Sequence, residues 1–172
     1  TNCVFAGNQS TYAETSMATA ATGATGGMIV INLSSAAAKV DFERCTIAYN
    51  LGDALHVPGG IDVVKGAVNL HNSIIFSNVR GKLSDAGSDI EVKSSGTLNM
   101  SYCRLTEGNE TTGVPSARTV HEATVGSITY DNLSFGDPMF LTSAQSFTNV
   151  LKYSGDYTYY NYAAAGLRFT SS

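Results

Sequence analysis

The 172 residues contain no tryptophan, and Asp, Glu, Lys and Arg together make up only 14% of them. So thin a supply of charge suits long amphipathic helices badly. The ten basic residues are scattered, the net charge is −4, and no run of Lys or Arg forms a stripe that could neutralise phosphates. Nucleic acid is therefore not an expected partner. No segment approaches 18 consecutive apolar residues, so no membrane-spanning helix is expected in the segment. A signal peptide is also missing, and the first residue is Thr1 rather than Met. A leader has been removed, or the chain is a piece of something longer. The three cysteines are odd in number and lack the close pairing of a zinc site.

What the chain does have is Ser, Thr, Asn and 17 glycines around a 43% hydrophobic complement, the mix of short strands joined by polar turns. It also repeats itself. Val40-x-Phe42-x-x-Cys45-x-Ile47 is followed by Asn50, and Val68-x-Leu70-x-x-Ser73-x-Ile75 by Asn78. Leu98-x-Met100-x-x-Cys103-x-Leu105 is followed by Asn109, one place late, and Cys3-x-Phe5 with Asn8 keeps only the second half of the pattern. The small residue recurs at spacings of 42, 28 and 30, and the last two fall in the range of solenoid repeats. The first interval is longer because the Ala/Thr/Gly-rich residues 10–27 read as an extruded loop.

A second short strand accompanies each repeat: Met28-Ile29-Val30, Ile61-Asp62-Val63 and Ile90-Glu91-Val92, each behind Gly or Asp. One such coil cannot bury its apolar face alone. Stacked coils place equivalent residues about 4.8 Å apart in parallel strands. The expectation is an inward column of small residues at Cys3, Cys45, Ser73 and Cys103, with an apolar column at Phe42, Leu70 and Met100 beside it. A ladder at Asn8, Asn50 and Asn78 would bond its amides between coils, and Asn would tolerate a left-handed backbone at the bend.

These segments resemble the right-handed parallel β-helix repeats of large bacterial surface and secreted proteins, within the pectate-lyase-like superfamily. In that family a coil reads approximately N-C-T-F-x-x-N and then G-G-A-I. Asn2-Cys3-Val4-Phe5-Ala6-Gly7-Asn8 and Gly26-Gly27-Met28-Ile29 correspond, as do Asn72-Ser73-Ile74-Ile75-Phe76-Ser77-Asn78 and Asp89-Ile90. The D-P-x-F step that closes many members matches Asp137-Pro138-Met139-Phe140, and a G-D-Y step matches Gly155-Asp156-Tyr157. The S-P-A-I-D ending of such segments is missing, so the carboxyl end reads as truncated. The resemblance implies an all-β, right-handed parallel β-helix of about four to five coils with extruded loops. Residues 1–140 would form the coils, and 141–172 an irregular segment of the same domain that could cap them.

The architecture hosts lyases, hydrolases, epimerases, adhesins and tailspikes alike, so chemistry must be sought in residues. Sugar-cleaving members use carboxylates clustered on one outer face, sometimes with calcium. Asp62 and Glu91 are the weak catalytic candidates: aligning their strands stacks them on neighbouring coils, as a glycosidase pair or half a calcium site. The plainer reading makes both exposed strand acids that discourage edge pairing, screened by Lys65 and Lys93. Asp85 and Asp89 flank a turn and are weak candidates for a loosely held cation, though turn acids usually bond their own backbone. No metal site or cofactor is assigned beyond that room for calcium. His56, His71 and His121 fall in unrelated contexts, and no Ser or Cys partners a His and an acid. Five N-x-S/T sequons occur, at Asn8, Asn32, Asn99, Asn109 and Asn132.

The sequence thus points to a non-catalytic module of a secreted or cell-surface protein, a rigid stalk, adhesive or glycan-binding scaffold. Partners would be a glycan or a host or cell-surface protein, recognised through loops 10–27 and 106–125. Further coils or another subunit would cover the amino-terminal end, where Phe5 lacks a preceding strand. A polysaccharide lyase or glycoside hydrolase is the alternative, and a tailspike-like or fibre-forming subunit a third.

Overall fold

A computed structural model describes residues 1–8, 28–52, 58–80, 89–122, 124–125 and 127–138, together with the strands at 150–152 and 158–160. The described residues are all-β, with no helix among them, and stack as a parallel β-solenoid. One sheet runs β1 (Val4–Ala6), β4 (Thr46–Ala48), β7 (Ile74–Phe76), β10 (Arg104–Leu105) and β15 (Ser134–Phe135). A second contains β2 (Ile29–Asn32), β3 (Lys39–Glu43), β6 (Ile61–His71), β9 (Ile90–Ser101), β13 (Val120–Glu122) and β14 (Ile128–Asp131). Every pairing in both sheets is parallel, and β5 (Leu51–Gly52) pairs β8 (Val79–Arg80) in the same sense.

The register is the one the repeats demand. Ile47 pairs Ile75 and Ile75 pairs Leu105, while Phe42 pairs Leu70 and Leu70 pairs Met100. Ile29, Ile61, Ile90 and Val120 form the matching column of the second short strand. These apolar columns close the interior, where Ile47, Ile61, Val63, Val68, Ile75, Ile90, Val92, Leu98 and Leu105 are fully buried. The stack has about three turns rather than four to five: they run between the corners at Cys45, Ser73, Cys103 and Leu133, and residues 1–8 add half a coil. The last turn went unread because its strand, Ile128-x-Tyr130-x-x-Leu133-x-Phe135, puts Leu where the others have Cys or Ser.

Each coil turns from the second sheet into the first through a one-residue left-handed corner. Asn2, Arg44, Asn72, Tyr102 and Asn132 hold φ between 49 and 56°, directly before the small-residue column. That column also supplies donors, a role its apolar reading overlooks. The side chains of Cys3, Cys45, Ser73 and Cys103 each donate to the carbonyl two residues earlier, at 3.3, 3.4, 2.8 and 3.3 Å. Cys and Ser suit this position: small enough for the bend, and carrying a proton that gives the carbonyl a second donor beside the backbone N–H that reaches Glu43, His71 and Ser101 from the neighbouring coil. All three cysteines are free. Cys3, just before β1, is exposed, whereas Cys45 and Cys103 are buried.

The Asn corner differs from its expectation in one respect. The left-handed residues are the preceding ones, Gly7, Tyr49 and Ser77, not the asparagines. Residues 106–119 leave the third turn as an extruded segment built on the hairpin β11 (Gly108–Asn109) and β12 (Val114–Pro115). Asn109 caps its turn by accepting the Thr111 and Thr112 amides, and Gly108 lies so close to the Phe135 ring that a Cβ would meet it at 2.2 Å. Residues 10–27 and 139–149 lie outside the described residues, so the amino-terminal loop and the Met139-Phe140 step do too. Of the segment 141–172, β16 (Val150–Lys152) and β17 (Thr158–Tyr160) form an antiparallel pair.

Candidate functional site

The second short strand of each coil alternates: Ile61 and Val63, then Ile90 and Val92, point into the core, and the residue between points away from it. Asp62 pairs Glu91, and Glu91 pairs His121, so two carboxylates and an imidazole form one column on the outer face of β6, β9 and β13. Sequence placed the two acids side by side but did not see that His121 continues the column.

Exposure is where the plainer expectation fails. Asp62 is 0% and Glu91 8% exposed, so neither is a solvated surface acid. Burying a carboxylate is costly without compensating charge, and two bases provide it. Arg80, at the end of β8, donates through Nη2 to Glu91 Oε2. Lys93 Nζ lies 3.0 Å from Glu91 Oε1 and 3.9 Å from Asp62 Oδ1. Lys93 is thus the bridge between the stacked acids, while Lys65 points elsewhere, to the Ser34 carbonyl at 3.1 Å. Arg80 could not be read from sequence, because it reaches Glu91 from a different side of the coil. Chemically the cluster is two acids matched by two bases, with both Glu91 oxygens engaged by cations. A glycosidase pair needs one carboxylate open to the sugar and one free to donate a proton.

A second buried polar column runs along the Asn corner, and its hydrogen bonds share one direction. The amide N–H of Asn8 and its Nδ2 donate to Asn50 Oδ1 at 3.0 and 2.9 Å. Asn50 donates in the same way to Asn78 Oδ1, at 3.1 and 2.8 Å. Asn78 then donates both of its groups to Asp89 Oδ1 at 2.8 Å. The next coil cannot supply an asparagine here, because its chain departs into the hairpin at Gly108. Asp89, at the entrance of β9, fills the vacated acceptor position. Its Oδ2 takes the Thr106 hydroxyl at 2.5 Å, and its N–H donates to the Thr119 carbonyl at 3.2 Å. Burial pushes its carboxyl from 3.8 up to about 7, against the pull of the Thr106 and Asn78 hydrogen bonds. Beside it lies a cavity of about 30 Å³, the space of one water, lined by Asn78, Thr106, Glu107, Arg118 and Thr119. Asp85, the other turn acid, lies outside the described residues, as does His56. Among the described residues no group of three or more His, Cys, Asp or Glu side chains could hold a metal ion.

The exposed face of the same sheet carries a third, looser ladder. Asn69 donates to Asp41, Asn99 to Asn69 and Thr129 to Asn99. Beside it His71 bonds Ser101 and meets the edge of the Tyr102 ring, so His71 faces outward as its place between Leu70 and Asn72 implies. No family model, curated protein or solved structure matches this chain.

Proposed function

We propose that the chain is a non-catalytic scaffold, a β-helix module of a secreted or cell-surface protein whose faces and extruded loops present a ligand-binding surface. The observation that supports this best is the state of the only stacked acid pair among the described residues. Asp62 and Glu91 are buried, and Arg80 and Lys93 occupy both oxygens of Glu91. A pair held in that way contributes to the coil rather than to a reaction. The outer ladder of Asp41, Asn69, Asn99 and Thr129, flanked by Tyr102 at 57% exposure, offers the amides, hydroxyls and aromatic ring that suit a glycan.

The runner-up, a polysaccharide-active member of the pectate-lyase-like superfamily, draws on the same column, because His121 and two bases join the acids on one outer face. One experiment separates the two. Purified chain is offered neutral and uronate glycans, with binding and chain cleavage measured together for the wild type, Asp62→Asn and Glu91→Gln. A scaffold binds without cleaving, and each variant that remains folded, judged by its unfolding midpoint, binds as the wild type does. Cleavage by the wild type that either substitution abolishes would establish the enzyme instead.

A further inference from the structure

Asp89 is the one point at which the Asn ladder, the strand β9 and the extruded segment 106–119 are tied together. Thr106, at the start of the segment, accepts the Ser77 N–H at 2.6 Å and donates to Asp89 Oδ2. Thr119, at its end, accepts the N–H groups of Asp89 and Ile90 at 3.2 and 3.0 Å. Thr119 Oγ1 also takes the Glu107 N–H at 3.1 Å, closing the base of the segment on itself. We propose that Asp89 and Thr106 form a proton-operated latch, which fixes the segment 106–119 to the stack when the carboxyl is protonated and loosens it on ionisation.

Three features of the geometry favour a latch over a fixed tie. Asp89 is 1% exposed, yet its carboxyl oxygens are bonded by neutral donors, Asn78 and Thr106. The neighbouring base, Arg118, is turned to Glu107 at 2.8 Å. The water-sized cavity lies on the segment's side of the carboxyl, so that side admits solvent first. Charged groups on the elements packed around it are Glu107 and Arg118 on the segment, Arg80 on β8, Asp62 on β6, Glu91 and Lys93 on its own strand, and His121 and Glu122 on β13. Of these, Glu107 adds to the upward push on the Asp89 carboxyl.

The sign follows from proton linkage. The carboxyl binds its proton more tightly in the closed state, at about 7, than when hydrated at its ordinary 3.8. Closure is therefore firmest below the lower value and weakens as pH rises through the upper one. Over pH 5 to 8 this amounts to roughly a hundredfold rise in the opening equilibrium of the segment.

The test is amide hydrogen exchange on the whole chain between pH 5 and 8, corrected for intrinsic base catalysis, with the Asp89 carboxyl carbon titrated by NMR in parallel. Amides of 106–119 should lose about two orders of magnitude of protection while those of β6 and β7 do not. Asp89→Asn, which continues the ladder with a neutral amide, should flatten the response, and Glu107→Gln should lower its midpoint. An Asp89 titration in the ordinary carboxylate range would overturn the proposal, and this reading stands even should Asp89→Asn fail to fold. So would a wild-type response that Asp89→Asn retains, or one spread evenly over the stack.

Discussion

The two corners of each coil solve the same problem by different means. At the corner before Cys45, Ser73 and Cys103 the chain bends within one left-handed residue, and the following side chain satisfies a carbonyl of its own coil. At the Asn corner each side chain satisfies the neighbouring coil, so every rung depends on the next. The locally satisfied corner runs through all five strands from β1 to β15, and even tolerates Leu133 in place of the donor. The mutually satisfied corner stops as soon as one coil leaves the pattern, and it requires Asp89 to terminate it. A corner that keeps one bond within its own coil accepts Cys, Ser and even Leu, although Ser73 Oγ also takes the neighbouring Cys45 N–H; a ladder bonded from coil to coil holds its residues to Asn.

The sharpest way to break the contrast is at a middle rung of the ladder. Asn78→Ala strips the Asn50 N–H and Nδ2 of their shared acceptor, and takes the Nδ2 donor from Asp89 Oδ1 and the Ile47 carbonyl, all of them buried. A loss of about 3–4 kcal/mol in urea unfolding is expected. At the other corner the equivalent change should cost less. Ser73→Ala orphans the Cys45 N–H, which bonds Ser73 Oγ at 3.0 Å, and leaves the His71 carbonyl only its bond from the Arg44 N–H. About 1–2 kcal/mol is expected for that pair, read from the same unfolding midpoints. Smallest, and opposite in sign, is Arg44→Asn. Arg44 holds φ at 52° with a largely exposed side chain whose contact to Glu43 is 3.7 Å. Asn occupies that region with less strain, as it already does at Asn72 and Asn132, so a gain of about 0.5–1 kcal/mol is expected.

The same contrast explains what sequence could tell. The apolar columns, the small residues and the asparagines were legible because they recur at nearly constant spacing, and the register through Cys45, Ser73 and Cys103 follows from them. Where the spacing persisted but the residue type changed, legibility failed: Leu133 hid the last turn, and Val120-His121-Glu122 went unnoticed as the fourth member of its column. The candidate site was legible only as a pair. Asp62 and Glu91 stack as their alignment requires, but their burial and their cations depend on Arg80, which arrives from another side of the coil. Asp89 was visible as a turn acid, yet its place in the ladder depends on an asparagine that the next coil withholds.

The hairpin that ends the ladder also acts on the last strand. Successive N–H groups of β15 alternate in direction: those of Ser134 and Gly136 reach back to Cys103 and Leu105, so that of Phe135 points off the stack, where another strand would put its carbonyl. Glu110 Oε1, at the tip of the hairpin, already sits there at 3.1 Å. The hairpin therefore behaves as a counterfeit rung, a side-chain oxygen occupying the socket that templated growth would use. Any strand seeking to lengthen the pile at Phe135 must first evict it, so that rim is held by a part made one turn earlier.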